Sequence, residues 1–244
     1  MITRHHVALT LLCSMIPAGI IFSFDPVTAG LVILGTALGA ILPDIHMHRS
    51  KSSRMRRIPW AIVQAGRVLC IPLMQAMYRK IFAIETDPLD KRMTHSIPGI
   101  LFYSLGFTII SGGFVLLFPS RIPLIAAIGF TGGIMMGMIL HLMEDMCTKK
   151  GIFPTFPFSE SRVAGSIRPC NTEDPRITEF HILYATMAGG FLSITFTLGV
   201  PAMDILPEGI AVMGLCVGLM IWMSDVQIRE DIPREAYNPE RAVA

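Results

Sequence analysis

Six long apolar runs constrain the fold of this chain more than any other feature. A helix needs about 20 apolar residues to cross a bilayer, and each run is close to that length. Hydrophobic residues make up 52% of the chain and charged residues only 16%, whereas a soluble domain carries about 25% charged residues. The mean hydropathy is +0.58. We therefore predict an all-α, polytopic helical membrane protein with about six transmembrane helices, at residues 7–24, 27–42, 96–118, 122–143, 181–200 and 205–223.

A seventh apolar segment, residues 58–78, differs from these runs because polar residues interrupt it. They are Gln64, Arg67 and Gln75. An arginine near the centre of a bilayer is costly, whereas a helix with one apolar and one polar face is stable in the membrane interface. We predict that this segment forms an interfacial or re-entrant helix and does not cross.

The first apolar run has two interpretations. It follows Arg4 and in this respect resembles a secretory signal peptide. No small-x-small cleavage site follows it, and cleavage would remove His5 and His6. We favour a retained membrane helix.

The basic residues predict the orientation. If residues 58–78 do not cross, every lysine and arginine except Arg67 and Arg121 falls on one side of the membrane. The positive-inside rule makes that side cytoplasmic, so both termini are cytoplasmic in a cell or inner membrane. We predict a single integral-membrane helical domain over residues 1–223 and a charged cytoplasmic tail over residues 224–244. The net charge of +2 gives no indication of nucleic-acid binding.

Histidines and aspartates are concentrated at the ends of the apolar runs. Imidazoles and carboxylates are costly to desolvate unless a partner compensates them, and a bound cation is a partner that would serve them all. The orientation was derived from lysine and arginine alone, yet it places all of these residues at the same cytoplasmic face. They are His6, Asp44, His46, His48, His95, His141 and Asp145.

The spacing of these residues favours a shared metal site. His141 and Asp145 are four residues apart, so both side chains extend from one helix face. Asp44 follows Pro43 at a helix end, and His46 is two residues further on. Nitrogen and carboxylate oxygen suit a divalent metal, with Zn²⁺ first and Mn²⁺ or Fe²⁺ as alternatives. The predicted ligands are His6, Asp44, His46, His95, His141 and Asp145.

Each of these residues also has an ordinary structural explanation when considered alone. His5 and His6 could anchor a helix at the interface, and Asp44 could be a turn residue. His46 or His48 could face lipid headgroups, and His95 could begin a helix with Thr94 as its N-cap. The five cysteines are interpreted as small apolar packing residues, with Cys147 as a weak further ligand candidate.

The order of these motifs resembles the YdjM-like family of membrane-bound metal-dependent hydrolases, over about residues 1–160. The family pattern is an early His, then L-P-D-x-D-H, then H-R-x-x-T-H-S, then H-x-x-x-D-x-x-T-x-x-G. Here it is carried by His6, by Leu42-Pro43-Asp44-Ile45-His46, by Thr94-His95-Ser96, and by His141, Asp145, Thr148 and Gly151.

The chain departs from that pattern at three positions. His46 stands in place of the second Asp, Met47 in place of the following His, and Asp90 in place of the first His of H-R-x-x-T-H-S. The family is similar, more distantly, to zinc-dependent phospholipase C and P1-type nucleases. The resemblance therefore implies metal-dependent hydrolysis of a phosphoester.

Three functions remain open at this stage. The first is a membrane-embedded hydrolase that activates water with a metal and cleaves a membrane lipid, with Asp90, His48 or Glu144 as acid or base. The second is a metal-binding or metal-transporting membrane protein without hydrolytic activity, although the predicted spans lack the mid-bilayer acids that transport would need. The third is a structural module that recruits a partner.

Overall fold

The computed structural model describes residues 3–46, 57–87, 90–118, 123–169, 171, 174–199 and 202–229. Nearly all regular structure in this part of the chain is α-helical. Two short strands, β1 (Arg162–Ala164) and β2 (Gln227–Arg229), form an antiparallel pair. The helices are α1 (Thr3–Phe22), α2 (Pro26–Gly39), α3 (Arg57–Phe82), α4 (Ile97–Leu117), α5 (Leu124–Met146), α6 (Arg176–Leu198) and α7 (Leu206–Met223).

The predicted fold class is confirmed. Six helices are long and apolar enough to cross a membrane, and they are α1, α2, α4, α5, α6 and α7. Their outward faces carry large exposed apolar side chains, such as Leu101 and Leu105 of α4, which suits contact with lipid. The remaining long helix, α3, corresponds to the segment that was predicted not to cross.

Helices α2 and α5 pack against each other so closely that their backbones touch. A Cβ atom added at Gly35 or Gly39 would meet the carbonyl oxygens of Phe130 or Ile134, and one at Gly133 would meet that of Val32. Only glycine allows this approach, which is typical of G-x-x-x-G contacts between membrane helices. Gly30 takes no part in this contact, because nothing lies within 4 Å of a Cβ atom added at that position.

The relative direction of α2 and α5 determines how many times the chain can cross the membrane between them. Residue numbers increase together along α2 and α5 at their points of contact, so the two helices run parallel. Between two parallel spans the chain must cross the membrane once more, and α4 provides that crossing. A second crossing by α3 would make α5 antiparallel to α2. Helix α3 instead packs the buried side chains of Ile71, Met74 and Tyr78 against the core formed with α4 and α5.

The segment that follows α5 is ordered by short-range contacts. The hydroxyl of Thr148 donates to the Asp145 carbonyl at 2.8 Å and accepts from the Gly151 backbone N–H at 3.2 Å. Gly151 has φ of +63°, and a Cβ there would meet the Val163 carbonyl. The two motif residues, threonine and glycine, therefore build the turn at the end of α5.

The predicted tail begins later than the sequence indicated. Ser224 is fully buried, and its carbonyl accepts hydrogen bonds from the backbone N–H and the hydroxyl of Ser166. Strand β2 then pairs with β1, with Val163 opposite Ile228. Residues 224–229 are thus part of the folded domain, and residues 230–244 lie outside the described residues.

Candidate metal centre

Five of the six predicted metal ligands lie together at one end of the helix bundle. His6 is in the first turns of α1, and Asp44 is in a 3-10 turn (Leu42–His46) that follows α2. His95 lies two residues before α4, while His141 and Asp145 are one turn apart near the end of α5. We call these five residues the His/Asp cluster. All of its side chains are largely or fully buried.

The Asp145 carboxylate lies at the centre of the cluster. Its Oδ1 is 3.2 Å from Nε2 of His6, and its Oδ2 is 3.6 Å from Nε2 of both His95 and His141. The Asp44 Oδ1 atom lies 3.4 Å from Nε2 of His95. The rings of His6 and His141 stack with centroids 4.0 Å apart, and this stacking presents both Nε2 atoms to the same carboxylate.

The opposite nitrogen of each imidazole is held by a hydrogen-bond acceptor. His141 Nδ1 lies 2.7 Å from the Ala40 carbonyl, and His95 Nδ1 lies 3.1 Å from the Lys91 carbonyl. A carbonyl can only accept, so Nδ1 carries the proton in both rings and Nε2 of the neutral ring has the lone pair.

The third imidazole is held by a carboxylate. His6 Nδ1 lies 2.6 Å from Oε2 of Glu144, which accepts when ionised. Buried metal-binding histidines usually have this arrangement, in which a hydrogen bond on one nitrogen directs the other at the ion. Burial lowers the pKa of the His95 imidazole despite the raising effect of Asp44, and this favours the neutral form that can bind a metal.

At the centre of the cluster, hydrogen-bond acceptors therefore face one another: the Nε2 lone pairs of the imidazoles and the carboxylate oxygens. In the described part of the chain, the Nε2 atoms of His6, His95 and His141 are buried and make no hydrogen bond, although carboxylate oxygens lie 3.2–3.6 Å away. Two ligands of a tetrahedral zinc ion, each about 2.0–2.1 Å from it, lie roughly 3.4 Å apart. The donor set and its spacing thus fit a divalent cation.

The donors form two overlapping groups of three residues. Within each group, the ligand atoms lie within 4.8 Å of one another. One comprises His6, Asp44 and His141, and the other His95, His141 and Asp145. His141 belongs to both groups, but its Nε2 has a single lone pair and can bind one ion only. The geometry favours one ion held by shared donors over two ions with three separate ligands each.

A buried hydrogen bond joins the two loops that carry Asp44 and His95. The hydroxyl of Thr94 donates to the Pro43 carbonyl at 2.8 Å. The Ser96 side chain accepts from the Gly99 backbone N–H at 3.2 Å and is the N-cap of α4. The N-cap is thus Ser96, and the assignment of that role to Thr94 was wrong. Thr94 instead fixes the loops relative to each other.

Comparison with known proteins identifies the family of the chain. The sequence profile of the YdjM inner membrane protein family matches residues 1–226. The chain belongs to this family. The match, together with the six apolar helices, identifies it as an integral membrane protein. No curated protein and no solved structure matches the chain.

Two of the three predicted acid or base residues of this YdjM family member lie in other contacts. Asp90 caps the turn Lys91–Met93 and binds the Arg92 guanidinium, with Oδ2 2.7 Å from Nη2. Glu144 lies on the far side of His6 from the centre of the cluster, and its Oε1 accepts from Thr10 at 3.1 Å. Both roles in proton transfer stay predictions, and these contacts do not add support for them.

Of the remaining predicted residues, the structure positions the side chain of Cys147 but not those of His46 and His48. The backbone of His46 ends the 3-10 turn, but its side chain lies outside the described residues, as does all of His48. The Cys147 thiol, directly after α5, donates to the Met143 carbonyl in the last turn of that helix at 3.2 Å. That contact supports the packing role over the ligand role for this cysteine.

Three residues that support the cluster were not predicted from the sequence. Thr10 follows His6 by four residues and Lys91 precedes His95 by four, so this spacing was the available signal. Ala40 acts through its backbone carbonyl, which has no signature in the sequence. The Lys91 ammonium also lies 3.1 Å from Oδ1 of Asp44.

Proposed function

We propose that this protein is a membrane-embedded, metal-dependent hydrolase that cleaves a phosphoester of a membrane lipid, such as a phospholipid headgroup. One observation carries the proposal. Three buried imidazole lone pairs and two carboxylates converge at spacings that suit a divalent cation. A cluster that served structure alone would pair donors with acceptors, as most buried polar groups do.

The residues of the cluster would bind the metal through two kinds of ligand atom. His6, His95 and His141 would hold the metal through Nε2, and Asp44 and Asp145 would supply oxygen ligands. When bound, a divalent ion supplies the Lewis acidity that makes water a nucleophile near neutral pH. Zn²⁺ is the best match for three imidazoles with carboxylates, and Mn²⁺ or Fe²⁺ are alternatives.

The position of the cluster supports a lipid substrate. Its residues come from the beginning of α1, the end of α2, the beginning of α4 and the end of α5. The ends of membrane spans lie at the level of the headgroups. A phospholipid would meet the cluster there without leaving the bilayer. The positive-inside rule supports a cytoplasmic location for this face.

Transport of the metal is the competing function. A transport path needs polar groups through the bilayer, and within the described spans the aspartates and glutamates lie at or near helix ends. Vectorial uptake of Zn²⁺ or Mn²⁺ by vesicles that contain the purified protein would favour transport over hydrolysis.

The proposal is tested by hydrolysis with controlled metal content. The full chain is purified, depleted of metal with a chelator, and assayed against phosphodiesters and phospholipids before and after Zn²⁺ or Mn²⁺ is restored. Hydrolysis that depends on metal and is lost in His141→Gln supports the proposal. His181→Gln is the matched control, because His181 also hydrogen-bonds a carbonyl through Nδ1 but lies outside the cluster. Hydrolysis that survives in His141→Gln contradicts the proposal.

A further inference from the structure

Lys91 forms the partly exposed edge of the His/Asp cluster. Its ammonium lies 3.1 Å from Oδ1 of Asp44, and its side chain is 34% exposed while that of Asp44 is 7% exposed. Its backbone carbonyl accepts from Nδ1 of His95. One residue thus orients a predicted ligand through its backbone and carries a positive charge to the rim of the site.

The neighbouring basic residue, Arg92, makes contacts outside the His/Asp cluster. Arg92 makes a bidentate contact with Asp90, and its guanidinium lies over the Phe156 ring at 4.6 Å from the centroid. Its charge is therefore matched by a carboxylate, and its position is fixed by packing. Lys91 differs because the carboxylate that it contacts belongs to the predicted metal ligands.

Binding of a divalent ion would change the balance of charge at this edge. The two positive charges of the ion match the carboxylates of Asp44 and Asp145, so the Lys91 ammonium would lose much of its attraction to Asp44. It would remain about one hydrogen-bond length from a metal ligand and in contact with solvent or headgroups. A second cation beside a metal is a common way to hold an anion that the metal also binds.

We propose that Lys91 is a substrate-binding residue that contacts the anionic phosphate group presented to the metal. This inference rests on the proposed function, because it takes the cluster to be a metal site. It adds a chemical requirement: the group bound at the open edge must carry negative charge. A neutral ester would gain nothing from the ammonium.

The test measures phosphate binding without any turnover. The full chain is loaded with metal, and inorganic phosphate is titrated into wild type, Lys91→Met and Lys91→Arg by calorimetry, with metal content measured for each. Lys91→Met removes the charge but keeps most of the side-chain length. Lys80→Met is the matched control, because Lys80 is an exposed lysine at the end of α3. Thermal unfolding of each variant confirms that it is folded.

We expect Lys91→Met to bind phosphate at least about tenfold more weakly, since a hydrogen bond to a charged group contributes that much or more. Lys91→Arg keeps the positive charge and should bind phosphate more tightly than Lys91→Met. Metal content should be the same in all four proteins. Equal phosphate affinity in wild type and Lys91→Met, or absence of phosphate binding to the metal-loaded wild type, overturns the inference.

Two further outcomes separate this inference from the proposed function. If the wild type binds no metal, the proposed function fails. If wild type binds metal but Lys91→Met does not, Lys91 supports the ion and the substrate-binding role is wrong.

A second arm distinguishes a lipid phosphate from a soluble one. The titration is repeated in phosphatidylcholine nanodiscs with and without phosphatidic acid. Weaker binding of inorganic phosphate in the presence of phosphatidic acid, in wild type but not in Lys91→Met, supports a lipid headgroup at Lys91. Unchanged binding in wild type supports a soluble phosphate ester.

Discussion

The Nδ1 atom of His6 lies 2.6 Å from Oε2 of Glu144, and both side chains are almost completely buried. This contact sets the direction in which the other nitrogen of His6 points, 3.2 Å from Oδ1 of Asp145. Glu144 and Asp145, which are adjacent on α5, thus contact opposite nitrogens of the His6 ring. Asp145 faces the proposed ion, and Glu144 holds the ring from behind.

Replacement of Glu144 by Gln should weaken metal binding. The variant keeps an acceptor oxygen but loses the carboxyl group that fixes His6, and loss of such a partner typically costs about 10- to 100-fold in metal affinity. The measurement is a zinc titration in competition with a chelator of known affinity. Glu179→Gln, at an exposed position of α6, should bind zinc like the wild type. If Glu144 is instead an acid or base, hydrolysis will fall while zinc affinity stays unchanged.

Replacement of Thr94 by Val should reduce both stability and metal affinity. The substitution leaves the buried Pro43 carbonyl without the Thr94 hydroxyl, at a cost of about 1–3 kcal/mol, and it releases the Asp44 loop from the His95 loop. Thermal unfolding and the same zinc titration report the two effects.

The matched variant for Thr94→Val is Ser96→Ala. It removes the N-cap of α4, which should cost about 1 kcal/mol of stability and leave zinc affinity nearly unchanged. Equal losses of zinc affinity in both variants would show that the Thr94 contact has no particular role in the centre.

Alanine at Gly39 should destabilise the contact between α2 and α5. The added Cβ would overlap the Ile134 carbonyl, and overpacking of this kind costs about 1–3 kcal/mol. Gly132→Ala provides the control on α5, because nothing lies within 4 Å of that position. Thermal unfolding in detergent should show a lower midpoint for Gly39→Ala and no decrease for Gly132→Ala. Equal midpoints would contradict the close helix contact.

The sequence was sufficient to predict the membrane fold and the helix-end location of the ligands. Apolar runs determine spans because an unpaired backbone cannot cross lipid, and polar interruptions identified α3 as the helix that does not cross. The sequence did not predict which helices pack against each other. The G-x-x-x-G spacing of Gly35 and Gly39 is typical of a close helix contact, but it does not identify α5 as the partner.

The supporting contacts of the centre were harder to predict than its ligands. The Ala40 carbonyl orients His141, and a backbone atom has no residue type that would indicate such a role. Glu144 was predicted only as a candidate acid or base, because the sequence does not show which way a carboxylate on the next helical position will point. Ser224 was assigned to a tail because a single polar residue after a span has no sign of burial.

The metal content of the purified protein tests the central claim most directly. Elemental analysis after dialysis against Zn²⁺ should find about one ion per wild-type chain, since one Nε2 lone pair of His141 is shared by both groups of donors. His141→Gln should lose that ion, while His181→Gln should retain it. A wild-type chain without bound metal, or an unchanged zinc content in His141→Gln, would contradict the account of the His/Asp cluster as a metal centre.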